Sequence, residues 1–114
     1  MPQLSYERLD VYQLGIAYVA LMAPLLDALP RGNAALSDQL RRAALSIPLN
    51  VAEAAGKVSA ADRSRYYATA RGSAMECGAI LDVCRALGTV EEGRRTEGKA
   101  LLVRIVAMLT KMCR

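Results

Sequence analysis

The side chains best placed to do chemistry are two carboxylates, Glu53 and Glu76, and the polar residues spaced around them. Arg42, Ser46, Asn50, Glu53 and Lys57 recur every three or four positions, which lays them along one side of a helix. Ser73 and Glu76 stand three apart, and Arg65 and Thr69 fall on the face that Glu76 occupies. Beside Glu76 runs a stripe of small residues, Ala68, Gly72, Ala79 and Ala86. Small side chains let helices approach closely, and a carboxylate partly buried by that approach needs a partner. Arg41 and Arg42 are the expected partners, because a guanidinium fork can hold a carboxylate through two bonds. The group Arg41, Arg42, Asn50, Glu53, Ser73 and Glu76 has two readings: a network fixing helix register or a subunit contact, or a site for a ligand or RNA.

Catalysis has little to draw on. The chain has no histidine, the side chain whose ordinary pKa suits acid–base work near neutrality. A di-iron bundle needs Glu-x-x-His pairs, a zinc site needs clustered Cys or His, and a phosphate loop needs G-x-x-x-x-G-K-[ST]; none of these patterns occurs. We therefore expect no catalytic residue, no cofactor and no metal, and a protein that is not an enzyme. Cys77, Cys84 and Cys113 make an odd number of thiols, which suits a reducing cytoplasm. Cys77 and Cys84 would lie about 10.5 Å apart along a helix, too far to bridge within one chain.

The net charge of +4 is uneven: residues 58–114 hold ten basic and six acidic groups, and residues 1–57 hold five of each. The candidates for nucleic-acid contact are Arg63 and Arg65, which flank Tyr66 and Tyr67 with positive charge, and Arg94, Arg95 and Lys99. Guanidinium and ammonium groups neutralise phosphates, and aromatic rings stack on bases. Glu91, Glu92 and Glu97 interleave the second cluster, and Glu91 and Arg95 have the i,i+4 spacing of a self-paired helix surface.

Four helices must position these groups. The first is expected from about Ser5 to Ala28, stopped by Leu29-Pro30-Arg31-Gly32-Asn33. The second starts with Ser37 as its cap and runs to about Gly56. The third opens on Ser59-Ala-Ala-Asp62 and ends at Gly88. The fourth opens on Thr89-Val-Glu-Glu92, with capping-box spacing, and runs to the C-terminus. Pro24 and Pro48 fall inside helices, where each removes one hydrogen bond and bends the rod. The expected core faces are Leu40, Ala44, Ile47, Val51 and Ala55 on the second helix; Tyr66, Ala70, Cys77, Ile80, Leu81, Cys84 and Leu87 on the third; and Leu101, Leu102, Ile105, Met108, Leu109 and Met112 on the fourth. Short connections make neighbours antiparallel. The fold class is all-α, an up-and-down four-helix bundle forming a single domain over residues 1–114.

Two helices are more apolar than one core requires. The first carries Leu14, Ala17, Leu21 and Leu25 on one stripe and Tyr12, Ile16, Val19 and Ala23 opposite. The second carries Leu45, Leu49 and Ala52 opposite its core face. One chain of four helices covers only one side of each, so Leu45, Leu49, Ala52, Tyr12, Ile16 and Val19 are the expected interface of a homo-oligomer. The uncharged run from Val11 to Leu26 is shorter than the ~20 residues that span a bilayer and contains Gln13 and Pro24, so no membrane partner is expected.

The block Gln39-Leu-Arg-Arg-Ala-Ala-Leu-Ser-Ile-Pro-Leu-Asn-Val-Ala-Glu53 resembles a signature, Q-x-R-R-A-x-x-S-I-P-x-N-I-A-E-G, of bacterial four-helix-bundle proteins encoded in intervening sequences of 23S ribosomal RNA genes. Ala70-Arg-Gly-Ser-Ala-Met-Glu76, Leu9-Asp-Val-Tyr-Gln-Leu14 and Ala86-Leu-Gly-Thr-Val90 resemble further blocks of that family, in family order. Ala54 stands where the family has Gly, Ala74 and Cys77 where it favours Leu, and Tyr67 where it has Phe or Leu. The resemblance implies a left-handed up-and-down bundle whose relatives assemble as homopentamers. It leaves two functional classes: an oligomeric scaffold, and an accessory protein that binds RNA through basic faces of the oligomer.

Overall fold

The computed structural model describes residues 2–29 and 31–114; Pro30 of the expected breaker cluster lies outside them. A 3-10 turn at Ser5–Arg8 leads into α1 (Asp10–Ala28), followed by α2 (Ala34–Ala55), α3 (Ala60–Leu87) and α4 (Glu92–Met112). Each helix packs on its sequence neighbours, and α1 closes the ring against α4. The arrangement is an all-α four-helix bundle, with α1/α2 on one lateral face and α3/α4 on the opposite one.

Local chemistry sets the helix ends. Ser59 Oγ accepts from the Asp62 amide at 3.1 Å and starts α3. Gly88 ends it with φ 70°, a left-handed conformation that glycine adopts without steric cost. The Gly88 amide donates to the Arg85 carbonyl and the Thr89 amide to the Cys84 carbonyl, the two bonds of a Schellman cap. Thr89 Oγ1 also donates to the Cys84 carbonyl. Thr89 thus completes the end of α3 rather than starting α4, whose N-cap residue is Glu91. The second helix likewise begins at Ala34, three residues before Ser37, because Ala34, Ala35 and Leu36 are strong helix formers that extend it backwards. Both α1 and α2 continue through their prolines.

The core contains no buried charged or polar residue among those described. From α1 it takes Val11, Gly15, Tyr18, Met22 and Leu25, a stripe that shares only Leu25 with the two expected ones. By length and composition α1 could cross a membrane; in the structure this stripe packs it into the bundle. In α2, Ala54 is buried and the expected Ala55 is not. In α3, Tyr67 is the buried tyrosine; Tyr66 is half-buried beneath the Lys57 ammonium, 5.0 Å from its ring centre, and Leu87 is exposed. On α4 only Leu102, Ile105 and Leu109 of the expected face are fully buried. Gly98 was not among the expected core residues, yet it is buried where α4 meets α1 and α3. A Cβ there would lie 3.1 Å from Leu81 Cδ1 and 3.3 Å from Met22 Cε, so the helices approach at a point only glycine leaves open.

Candidate functional site

Helices α2 and α3 enclose a shallow polar groove of about 330 Å³, lined by Gln39, Arg42, Ala43, Ser46, Ser73 and Glu76. Ser46 and Ser73 share a hydroxyl–hydroxyl bond of 2.7 Å across the helix pair. Asn50 Nδ2 donates to Ser46 Oγ and to the Ser46 carbonyl, both at 2.8 Å. Gln39 Nε2 donates to Glu76 Oε2 at 3.0 Å.

Three details differ from expectation. Glu76 is exposed, and its partner is the Gln39 amide rather than Arg41 or Arg42. Arg42 pairs with Asp38 one turn back on its own helix, at 3.5 Å, and Arg41 faces the α1/α2 side beside Asp27. The small-residue stripe Ala68, Gly72, Ala79 and Ala86 is exposed throughout, so the closest helix approaches are made elsewhere, by Gly15 and Gly98. Of the expected network, Asn50, Ser73, Glu76 and Arg42 meet at or beside one groove; Glu53 is exposed on α2 and outside it. Gln39 and Ser46 complete the groove. Both stand in the same sequence block, and the spacing 39, 42, 46, 50 places them on one face of α2.

The five basic candidates all have partners within the chain. Arg63 Nη1 donates to the Val58 carbonyl at 2.7 Å and to the Lys57 carbonyl at 3.2 Å, closing the α2–α3 turn. Arg65 pairs with Asp62, and this bond, with Ser59, holds the Asp62 carboxyl below the usual range. Arg94 Nη1 donates to the Leu21 carbonyl at 2.7 Å, joining α4 to α1 in the turn ahead of Pro24, whose ring crowds the preceding turn. Arg95 and Lys99 both reach Asp82, at 3.5 and 2.8 Å. The Lys99 ammonium is the main reason the Asp82 carboxyl titrates below its ordinary value. Arg104, Lys111 and Arg114 are exposed and take part in none of the six ion pairs among the described residues.

Two further surfaces are apolar. On α1/α2, Ile16, Leu45 and Leu49 are 45%, 42% and 64% exposed, with Tyr12, Val19 and Ala52 half-buried beside them. On α3/α4 a groove of about 510 Å³ runs between the helices over Gly78 and Leu102, with Met75, Ala79, Val103 and Ala107 along its sides.

The Tyr18 hydroxyl is fully enclosed and no nitrogen or oxygen of the described residues bonds it. Its polar neighbours are the buried thiols of Cys77 and Cys84. Burial pushes the Cys77 thiol up to about 12, so it is protonated and unreactive at neutral pH. Among the described residues no group of three or more His, Cys, Asp or Glu stands close enough to hold a metal ion.

A comparison with curated proteins finds no match. The family model described as 23S rRNA-intervening sequence protein matches residues 7–111, a span that takes in all four helices and the polar groove. The chain belongs to the family of 23S rRNA-intervening sequence proteins.

Proposed function

We propose that this protein is a non-enzymatic scaffold that works as a homo-oligomer in the cytoplasm. The observation that carries this reading is the exposed apolar ridge of Ile16, Leu45 and Leu49. At ~25 cal/mol per Å² of apolar surface removed from water, covering such side chains favours association. The total accessible surface points the same way. It is 6669 Å² for 12.3 kDa, where a monomer of that mass exposes about 6100 Å². Five subunits is the number that the family resemblance implies. The polar groove supports no catalytic reading of its own: its two hydroxyls bond each other, and no base is in contact with either.

Light scattering coupled to size exclusion, on the wild type and on Leu49→Glu, tests the proposal. The wild type is expected well above 12.3 kDa. Leu49→Glu should lower the mass while leaving the helical circular dichroism intact. A wild-type monomer at micromolar concentration would remove the basis for the scaffold reading.

The second reading, RNA binding by the assembled form, has one supporting observation: the exposed and unpaired Arg104, Lys111 and Arg114 on and just beyond α4. Five copies would total about +20 formal charge, and repeated weak contacts add up through avidity. Such binding should weaken steeply with salt, with a log–log slope near −0.7 per contacted phosphate for single strands. Anisotropy of a labelled structured RNA across roughly 50 to 200 mM salt distinguishes the two readings.

A further inference from the structure

We infer that the polar groove between α2 and α3 recognises an unpaired guanine of single-stranded RNA. The inference rests on the RNA-binding reading above and adds to it a base-specific site, which none of Arg104, Lys111 and Arg114 lines.

The groove has a volume of about 330 Å³, at the lower end of the range for small-ligand clefts. One wall holds a donor beside two acceptors. The Glu76 carboxylate only accepts hydrogen bonds, so Gln39 turns its amide nitrogen toward it, at 3.0 Å. That bond uses one of the two hydrogens on Gln39 Nε2 and one of about four acceptor positions on the carboxylate. Among the described residues no other hydrogen bond or ion pair takes up the second hydrogen or the remaining acceptor positions. Arg42 and Glu76 line the same groove and do not pair with each other, which leaves a cationic and an anionic group for a ligand.

Guanine is the base whose pairing edge matches this wall. It presents, in order, the O6 acceptor, the N1–H donor and the N2 amino donor. The Gln39 amide can donate to O6 while the two Glu76 oxygens accept from N1 and N2. Adenine would set its N1 lone pair against the carboxylate. Uracil and cytosine would set O2 against it. An acceptor facing an anion is repelled, so the other bases are rejected as well as less well bound. Unpaired bases with this edge exposed are the usual targets of sequence-specific RNA recognition.

Arg42 supplies the charge. It stands three residues after Gln39 on the same face of α2. Its one ion pair, with Asp38 at 3.5 Å, joins side chains that are 75% and 65% exposed, and exposed pairs of this kind contribute little. The guanidinium can exchange that partner for a phosphate of the bound strand, which its fork holds through two bonds. The groove floor keeps the wall in register. Asn50 Nδ2 donates to Ser46 Oγ, and Ser46 Oγ meets Ser73 Oγ at 2.7 Å. These bonds tie α2 to α3 one turn from Glu76, so the facing helices are set before a base arrives and less ordering falls on binding. The ridge residues Ile16, Leu45 and Leu49 line none of the groove.

Fluorescence anisotropy tests the assignment with two labelled uridine-rich single strands. They differ at a few isolated positions, guanine in one and adenine in the other. The wild type should bind the guanine strand about tenfold more tightly, in the lower part of the range for a two-bond base contact because the groove is open to water. Inosine, which lacks the N2 amino group, should fall between them. Glu76→Gln should bind both strands equally, because a donor then faces N2; its circular dichroism should be unchanged, since Glu76 is exposed. Arg42→Ala should weaken both strands alike and reduce the salt slope by about 0.7, the share of one phosphate. Equal binding of the two strands by the wild type overturns the guanine site and leaves the RNA reading standing. A guanine preference that survives in Glu76→Gln does the same. If neither strand binds at low salt, the RNA reading falls, and NMR with guanosine monophosphate decides the groove. Shifted amides at Ser73 and Glu76 would then assign it to the free nucleotide, and unshifted amides would end the guanine assignment.

Discussion

Gly98→Ala should destabilise the protein although it replaces the poorest ordinary helix former with the best. In a helix interior the exchange is worth about 1 kcal/mol in favour of alanine. Against it stands the new methyl group. Its carbon would lie 3.1 Å from Leu81 Cδ1, 3.3 Å from Met22 Cε and 3.5 Å from Tyr18 Cε1. Leu81, Met22 and Tyr18 are each 0% exposed, so none can yield into solvent, and α4 must shift outward or the neighbours must leave their rotamers. Inserting a carbon into a packed core costs about 1–3 kcal/mol, which leaves a net loss of about 1 kcal/mol. The matched control is Gly72→Ala in the middle of α3, where nothing lies within 4 Å of the added carbon. That change should stabilise by about 0.5–1 kcal/mol. Urea unfolding followed by circular dichroism, at equal protein concentration because assembly couples to stability, should rank Gly72→Ala above wild type and wild type above Gly98→Ala. If Gly98→Ala gains as much as Gly72→Ala, the close approach of α4 to α1 and α3 is wrong.

Three other outcomes are expected. Cys113 is half-buried while Cys77 and Cys84 are enclosed, so a thiol reagent at pH 8 should label one cysteine quickly and the other two only on unfolding; rapid labelling of all three would contradict the packing around Tyr18. The Asp82 carboxyl titrates below its ordinary value because of Lys99 and Arg95. Its stabilising contribution is therefore complete above the unfolded pKa of about 3.9 and lost as pH falls through the lower folded value. Asp82→Asn should flatten the acid limb of the stability profile, and an unchanged limb would count against the pairing. Ser73→Ala leaves the Ser46 hydroxyl without its 2.7 Å partner and should cost about 1 kcal/mol; a neutral result would mean water replaces the bond at no cost.

The helices and their ends were legible where one residue type has one conformational use. Ser59 accepts an amide and Gly88 turns left-handed, and both could be read from spacing alone. The second apolar surface of α2 was legible too, because Leu45 and Leu49 lie opposite an unambiguous core stripe. In α1 the rotation about the axis was not. A helix apolar on nearly every side gives periodicity nothing to choose between; the buried stripe contains Tyr18 and Gly15, and Pro48 and Ile47 of α2 pack against the latter. Adjacent Tyr66 and Tyr67 posed the same problem: Tyr67 is buried, and Tyr66 lies half-buried beneath the Lys57 ammonium. The Glu76 partner was missed because attention to charge favoured an arginine. The amide of Gln39, in the same sequence block, makes the bond without burying a charge. Gly98 gave a faint signal, a glycine inside a helical pattern, but nothing in sequence says which side chains it must clear.

Native mass spectrometry of the wild-type protein tests the central claim most directly, because it counts subunits. The oligomeric reading predicts an assembly of several copies of the 12.3 kDa chain, and the family resemblance sets the number at five. A monomer would contradict the oligomeric reading.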